Sequence, residues 1–266
     1  MSNAKPIARP ADMVPMSRSG AVAVLTLSFP ARRNAYCLQM RTQLRERLEA
    51  VMADAEVRAI VLTGDAGHFC AGGDISEMQE RTLLENRERW NLVMALIRLM
   101  ALGPKPIVAA VEGSAMGAGL SLASLADYVV AARDAKFGAA FVKIGLMPDM
   151  GALWSLQQRV GPAKARELLG LARSFDGVEA GRIGLANEVA EPGQALARAM
   201  AVAQEYAAMP PVATALLKNA LAQGTDSLDA AIRSEVEFQA VAMTSKDHAE
   251  AVRAFAEKRA PRFEGR

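Results

Sequence analysis

The sequence predicts an α/β protein that ends in an all-helical C-terminal part. Two observations support this class. Short apolar runs rich in β-branched residues alternate with longer helical patterns up to about residue 190, and only helical patterns follow beyond about residue 210. The chain has 266 residues, of which 52% are hydrophobic, so it is long enough to bury a full core.

The elements follow in order along the chain. Apolar runs predict strands at 21–29, 57–63, 107–111, 127–132 and 186–190, and a run at 135–141 could extend the sheet. Helical patterns cover 38–53, 82–102, 120–126, 160–171, 178–184, 195–208, 211–223, 227–241 and 247–258, and a further helix is expected to begin at 152. In the first helix Met40, Leu44 and Leu48 share an apolar face, and Arg41 is assigned to the polar side.

Proline residues mark the boundaries between the predicted parts. Residues 1–18 contain three prolines and no apolar signal core, so we expect a flexible tail. The core is predicted over 19–208, and Pro210 and Pro211 separate it from a helical region at 209–266.

Composition excludes several classes of function. The net charge is +2 with no basic block, which argues against nucleic acid as a partner. No apolar run is long enough to cross a membrane. Two cysteines make no disulfide framework, and the two histidines, His68 and His248, lack metal-ligand spacing. We therefore expect a cytoplasmic protein without a metal site or a membrane partner.

Residues 106–121 contain the first candidate site. A buried strand is followed by small residues with Gly117 and Gly119, and then by an apolar helix. Such a turn directs unpaired backbone N–H groups outward at a helix N-terminus, where they attract negative charge. The stretch is either an anion or oxyanion site or an ordinary glycine-rich turn.

Two further features are open to a structural and a functional interpretation. The pair Gly72-Gly73 lets backbone approach a ligand closely, although it also suits a simple turn. Asp149 lies in an apolar segment, where burial would make its carboxylate a better base. It also precedes a helix, so it could be an N-cap. Together, two donor loops and one acid suit the stabilisation of an enolate.

These motifs resemble the enoyl-CoA hydratase/isomerase, or crotonase, superfamily. The resemblance rests on Arg-Asn-Ala at 33–35, Phe-Cys-Ala-Gly-Gly-Asp-Ile at 69–75, the stretch 106–121, Ala-Lys-Phe-Gly at 135–138, Ile-Gly-Leu-Met-Pro-Asp at 144–149 and Phe-Ala-Glu-Lys-Arg at 255–259. It implies a spiral of ββα units, a C-terminal trimerisation region and a homotrimer or a dimer of trimers. The implied substrate is an acyl-CoA thioester, with coenzyme A as part of the substrate and no other cofactor.

The resemblance also implies which residues bind the thioester. Its carbonyl would accept hydrogen bonds from the N–H groups of Gly73 and Ala118. The adenine would lie near Ala35, Ala71 and Ile75. Arg32 would lie near the CoA phosphates, and Lys258 would approach the nucleotide end, in a neighbouring subunit. Plain surface charge is the alternative role of Arg32 and Lys258.

The catalytic acids depart from the hydratase pattern. Family hydratases use two glutamates, and the matching positions here are Ser121 and Phe141, neither of which can transfer the proton. Asp149 is retained, as in phenylacetate-pathway isomerases and 3-enoyl/2-enoyl-CoA isomerases. We therefore expect an acyl-CoA isomerase in which Asp149 carries the proton and Phe141 excludes water.

Other functions remain as alternatives to the isomerase. The chain could be a hydratase, or it could use Asp149 as a nucleophile in an aryl-CoA dehalogenase. It could also hydrolyse the CoA thioester, because an oxyanion hole suits acyl transfer equally well. A catalytically silent acyl-CoA-binding protein is the alternative outside enzyme chemistry.

Overall fold

A six-stranded sheet forms the centre of the computed structural model, which describes residues 8–224 and 227–266. Its strand order is β1-β2-β3-β4-β6-β9, and only the edge strand β1 runs antiparallel to its neighbour. The strands are β1 Met16–Ser19, β2 Val22–Leu27, β3 Ala59–Gly64, β4 Ile107–Val111, β6 Tyr128–Ala132 and β9 Glu188–Ala190. The predicted apolar runs therefore become the parallel strands.

A second, smaller sheet lies beside the site described below. It has the order β5-β7-β8, in which β5 and β7 are parallel and β8 is antiparallel. These strands are β5 Ser114–Met116, β7 Lys136–Gly138 and β8 Ser174–Asp176. Because β5 follows β4 and precedes a helix, this part of the chain forms one ββα unit.

The helices occupy nearly the predicted positions. They are α1 Leu38–Ala53, α2 Leu83–Leu102, α3 Ala118–Leu125, α4 Ala152–Leu171, α5 Gly177–Arg182, α6 Ala195–Ala207, α7 Pro211–Gln223, α8 Leu228–Met243 and α9 Lys246–Ala256. Helix α4 is interrupted at Gly161, whose φ of 74° is not helical. No helix in these two described ranges is long and apolar enough to span a bilayer.

The central sheet is buried on both faces, which explains why its strands are almost continuously apolar. Alternate residues of β2 point to opposite sides: Ala23 and Leu25 join the cluster formed with α1, α2 and α3. Val22 and Val24 join the cluster that packs against α6. This two-sided packing fixes the carboxyl ends of the strands, after which the site loops begin.

The predicted flexible tail is wrong for residues 8–18. Met13 and Val14 are completely buried in the main core, and β1 pairs with β2. Arg9 also forms ion pairs with Asp74 and Glu77, at 3.2 and 2.9 Å. Two apolar side chains are enough to anchor the segment although it is rich in proline. Residues 1–7 of the predicted tail lie outside the described residues.

Candidate active site

Backbone hydrogen bonds hold the two glycine-rich loops side by side. The N–H of Cys70 donates to Ser114 O at 2.7 Å, and the N–H of Met116 donates to Cys70 O at 3.0 Å. A Cβ added to Gly119 would lie 2.4 Å from Cys70 O, so only glycine allows α3 to approach this closely. Residues 70–73 and 114–119 therefore form one unit.

Two backbone donors lie at the ends of these loops. Ala118 is the first residue of α3, after Gly117 with its positive φ of 50°. Neither Ala118 N–H nor Gly73 N–H donates a hydrogen bond to any described residue. The helix N-terminus adds partial positive charge at Ala118. The predicted strand, glycine turn and helix are thus present, and two backbone donors are free to stabilise an anion.

Asn34 supports this unit from the opposite side. Its side-chain oxygen accepts from Phe29 N–H at 2.8 Å, and its amide donates to the carbonyls of Asp65 and His68 at 2.9 and 2.6 Å. The residue is completely buried. The Asn34 amide therefore fixes the chain that enters the Gly72-Gly73 loop.

We expect Asn34→Ala to lower the free energy of unfolding by about 3 kcal/mol, because it leaves several buried backbone groups without partners. Chemical denaturation measures this loss. Asn86→Ala, at an exposed position of α2, is the matched control and should change stability by less than about 0.5 kcal/mol. A similar loss in both variants would contradict the supporting role of Asn34.

Asp149 lies between the short 3-10 helix Val142–Ile144 and α4, and its carboxylate is partly buried. Its Oδ1 is buried without a hydrogen-bond partner in the described part of the chain. Burial raises the pKa of Asp149 to about 6, against the opposing effect of the Arg41 charge. Gly151 is the N-cap of α4, and no described side chain caps that helix. The N-cap interpretation is therefore wrong, and the carboxylate is a candidate base.

Ser121 and Phe141 occupy the two positions where family hydratases have glutamates. The Ser121 hydroxyl is completely buried and shares its one proton between Asp149 O at 3.0 Å and Gly117 O at 3.3 Å. Phe141 is buried, and a Cβ on Gly117 would lie 3.8 Å from its ring. Ser121 therefore tethers the Asp149 segment to α3, and Phe141 forms an apolar wall beside the oxyanion turn.

The residues predicted to bind CoA lie partly around the same loops. The N–H of Ala71 donates to Arg33 O at 2.9 Å, which brings the segments of Ala35 and Ala71 together. Ile75 follows and is exposed, and Arg32 Nη1 lies 3.6 Å from Asp74. Lys258 is exposed after α9, and among the described residues no hydrogen bond joins it to these loops.

Two residues near the site were not singled out from the sequence. Tyr36 is buried, and its N–H donates to Gly72 O at 2.7 Å. The sequence pattern predicts Arg41 on the polar side of α1, but the residue is 7% exposed. Its guanidinium lies 5.3 Å from the Tyr36 ring centre and 5.8 Å from that of Trp90. In the sequence, the aromatic Tyr36 directly after Asn34-Ala35 is the feature that could have indicated both Tyr36 and Arg41.

Comparison with known proteins identifies the family. A family model described as enoyl-CoA hydratase/isomerase matches residues 17–266. The chain belongs to the enoyl-CoA hydratase/isomerase family. This family member is 36% identical over 253 residues to the 1,2-epoxyphenylacetyl-CoA isomerase of Escherichia coli, covering 92% of this chain and 95% of the relative. It is 35% identical over 247 residues to the short-chain-enoyl-CoA hydratase of Clostridium acetobutylicum, covering 92% and 94%.

Solved structures of the enoyl-CoA hydratase/isomerase family confirm the predicted crotonase-like α/β fold. The crystal structure of an enoyl-CoA hydratase from Polaromonas matches with a TM-score of 0.89 and 32% identity, covering 94% of this chain and 99% of that chain. The enzyme family is thus established. Because its similar members are named both isomerases and hydratases, the particular reaction must be argued from the residues of this chain.

Proposed function

We propose that this chain is an acyl-CoA isomerase that moves a double bond through a thioester enolate. The observation that carries the proposal is the identity of the three positions around the oxyanion turn. Ser121 has its hydroxyl engaged by two carbonyls, Phe141 has no ionisable group, and Asp149 has a partly buried carboxylate with a raised pKa. One carboxylate is sufficient for an isomerase, because no water is added.

In the proposed reaction, the thioester carbonyl of a 3-enoyl-CoA accepts hydrogen bonds from the N–H groups of Gly73 and Ala118. Asp149 removes a proton from the α carbon, and the electron pair delocalises into a dienolate whose oxygen is stabilised by these two donors. The protonated Asp149 then returns the proton to the γ carbon, which gives the 2-enoyl-CoA. Phe141 keeps water away from the dienolate.

The CoA portion and the assembly are part of the same proposal. Ala35, Ala71 and Ile75 surround the adenine, Arg32 attracts the CoA phosphates, and no separate cofactor is required. Exposed apolar side chains on α7, α8 and α9 support a homotrimer or a dimer of trimers, in which Lys258 approaches the nucleotide of a neighbouring subunit. They include Leu221, Leu228, Val236 and Phe255. The name of the Escherichia coli relative makes a ring-epoxide CoA ester a second substrate to try.

The test is to compare isomerisation of 3-hexenoyl-CoA with hydration of crotonyl-CoA by the same preparation. We expect isomerisation to be at least about 100-fold faster, because hydration requires a second general acid or base. Faster hydration would overturn the isomerase in favour of a hydratase. Mass analysis during a single turnover would detect a covalent ester at Asp149, which would favour the dehalogenase or hydrolase instead.

The raised pKa of Asp149 gives a prediction about pH. The carboxylate must be ionised to accept the α proton, so kcat/KM should fall about tenfold for each pH unit below about 6. The CoA phosphate also titrates near this pH. A pantetheine thioester, which has no phosphate, should therefore serve as the substrate. A kcat/KM that does not change between pH 4.5 and 8 would contradict Asp149 as the base.

A further inference from the structure

Arg41 is a buried cation that forms no salt bridge with any residue that the structure describes. It is 7% exposed on α1, and its Nε and Nη1 are buried without hydrogen-bond partners among the described residues. The rings of Tyr36 and Trp90 flank the guanidinium at 5.3 and 5.8 Å. Cation–π contacts offset part of the desolvation cost, but a buried charge without a counter-ion remains unfavourable.

Arg41 lies in the same region as the candidate base. Its positive charge opposes the rise in the pKa of both the Asp149 carboxyl and the Tyr36 phenol. The Tyr36 hydroxyl is likewise buried, and Arg41 is the described side chain that interacts with it. Since the backbone of Tyr36 pairs with Gly72 and Gly73, these donors lie close to the oxyanion loops.

The neighbouring carboxylates are already paired with other cations. Glu77 forms ion pairs with Arg9 at 2.9 Å and with Arg89 at 3.2 Å. Asp74 is paired with Arg9 and Arg32. Asp149 makes no ion pair with Arg41 within the described ranges, and in the proposed reaction it becomes neutral when it takes the proton. Arg41 therefore remains a cation without an ion-pair partner in the described ranges, and its charge is felt at Asp149.

We propose that Arg41, together with the Tyr36 hydroxyl, binds a carboxylate at the far end of the acyl group. The substrate class is then the mono-CoA thioester of a short dicarboxylic acid. A planar guanidinium suits a carboxylate because it can donate two parallel hydrogen bonds. Trp90, on the other side of Arg41, is 40% exposed, so the cluster lies near the surface of α2. This inference rests on the proposed function, which places the thioester at Gly73 and Ala118.

The test measures binding of saturated thioesters, which cannot isomerise. Calorimetric titration compares hexanoyl-CoA with adipyl-CoA, and the same is done for the four- and five-carbon pairs. We expect the wild-type protein to bind the carboxylate member of at least one pair at least about tenfold more tightly, as a charge-assisted hydrogen-bonded pair would provide. Arg41→Met should remove this preference and leave hexanoyl-CoA within about threefold of its wild-type affinity.

Two further variants make the outcome specific. Arg41→Lys keeps the charge but not the planar donor pair, so it should retain part of the preference. Arg45→Met, one turn later on α1, removes a half-exposed arginine that pairs with Glu49, and it should leave the preference unchanged. Equal wild-type affinity for both members of every pair would overturn the carboxylate site. Equal weakening of both members by Arg41→Met would also overturn it, whereas no binding of any thioester would refute the proposed function itself.

Discussion

Replacing Asp149 by Asn is expected to lower kcat for 3-enoyl-CoA isomerisation by about 10²–10⁴-fold, because the amide cannot take the α proton. The isosteric side chain preserves the shape of the site, so KM should change by less than about threefold. Stopped assays with product analysis measure both constants. Asp134→Asn, at an exposed position, is the matched control and should leave kcat unchanged.

The same variant is expected to be more stable than the wild type at pH 8. Burial raises the pKa of Asp149 to about 6 in the folded protein, from 3.8 for the unperturbed side chain. Between these values the folded state binds more protons, so stability falls as pH rises from about 4 to about 6. A pKa difference of about 2 corresponds to about 3 kcal/mol at most. The free energy of unfolding of Asp149→Asn should therefore exceed that of the wild type by about 1–3 kcal/mol at pH 8.

At pH 4 the gain should be nearly absent, because the carboxyl is then mostly protonated in the folded state. Denaturation of both proteins at the two pH values measures the difference. Loss of activity together with gained stability would identify a group that is kept for chemistry at a cost in folding. A variant that loses activity and stability together at pH 8 would instead indicate a structural role for the carboxylate.

The second large effect is expected at Ala118, where proline removes the N–H proposed to bind the enolate oxygen. Ala118 is the first residue of α3, and the first helical position tolerates proline because its N–H has no partner within the helix. Loss of one oxyanion donor should lower kcat by about 10²–10³-fold. Ala118→Gly retains the N–H and should keep kcat within about threefold.

A thermal melt distinguishes loss of the donor from loss of the fold. Ala118→Pro should shift the melting temperature little and should still bind hexanoyl-CoA. If Ala118→Pro isomerised 3-hexenoyl-CoA at nearly the wild-type rate, the oxyanion role of Ala118 would be wrong. If Ala118→Gly lost as much activity as the proline variant, the shape of the turn rather than its N–H would explain the effect.

The main elements could be predicted from sequence because their packing is repetitive. The apolar face through Met40, Leu44 and Leu48 predicts the bounds of α1, and the structure has α1 at Leu38–Ala53. The buried run before the glycine turn likewise predicts β4. In contrast, β5 has only three residues, and its pairing with β7 is set by tertiary contacts that no local pattern encodes.

The site could be predicted less completely. The glycine positions identify two donor loops, since backbone donors require small residues and unusual dihedrals. The role of Asp149 could not be decided from the sequence, because a lone Asp shortly before a helix suits both a catalytic base and an N-cap. The sequence pattern predicts Arg41 on the polar side of α1, since a charged residue beside an apolar stripe normally faces solvent. Only the aromatic side chains around it, from distant positions in the chain, reveal its burial.

The buried hydroxyl of Ser121 limits where acidic side chains can stand in this site. Ser121 is completely enclosed, and it holds the peptide carbonyl of Asp149 against the start of α3. An acidic side chain at position 121 has no hydroxyl to donate to the Asp149 carbonyl, so it would lose that tether. Within this chain, a carboxylate supplied by α3 at this position would therefore replace the contact that holds the Asp149 segment. Ser121 thus takes the place of one glutamate of the hydratases and holds the segment that carries Asp149.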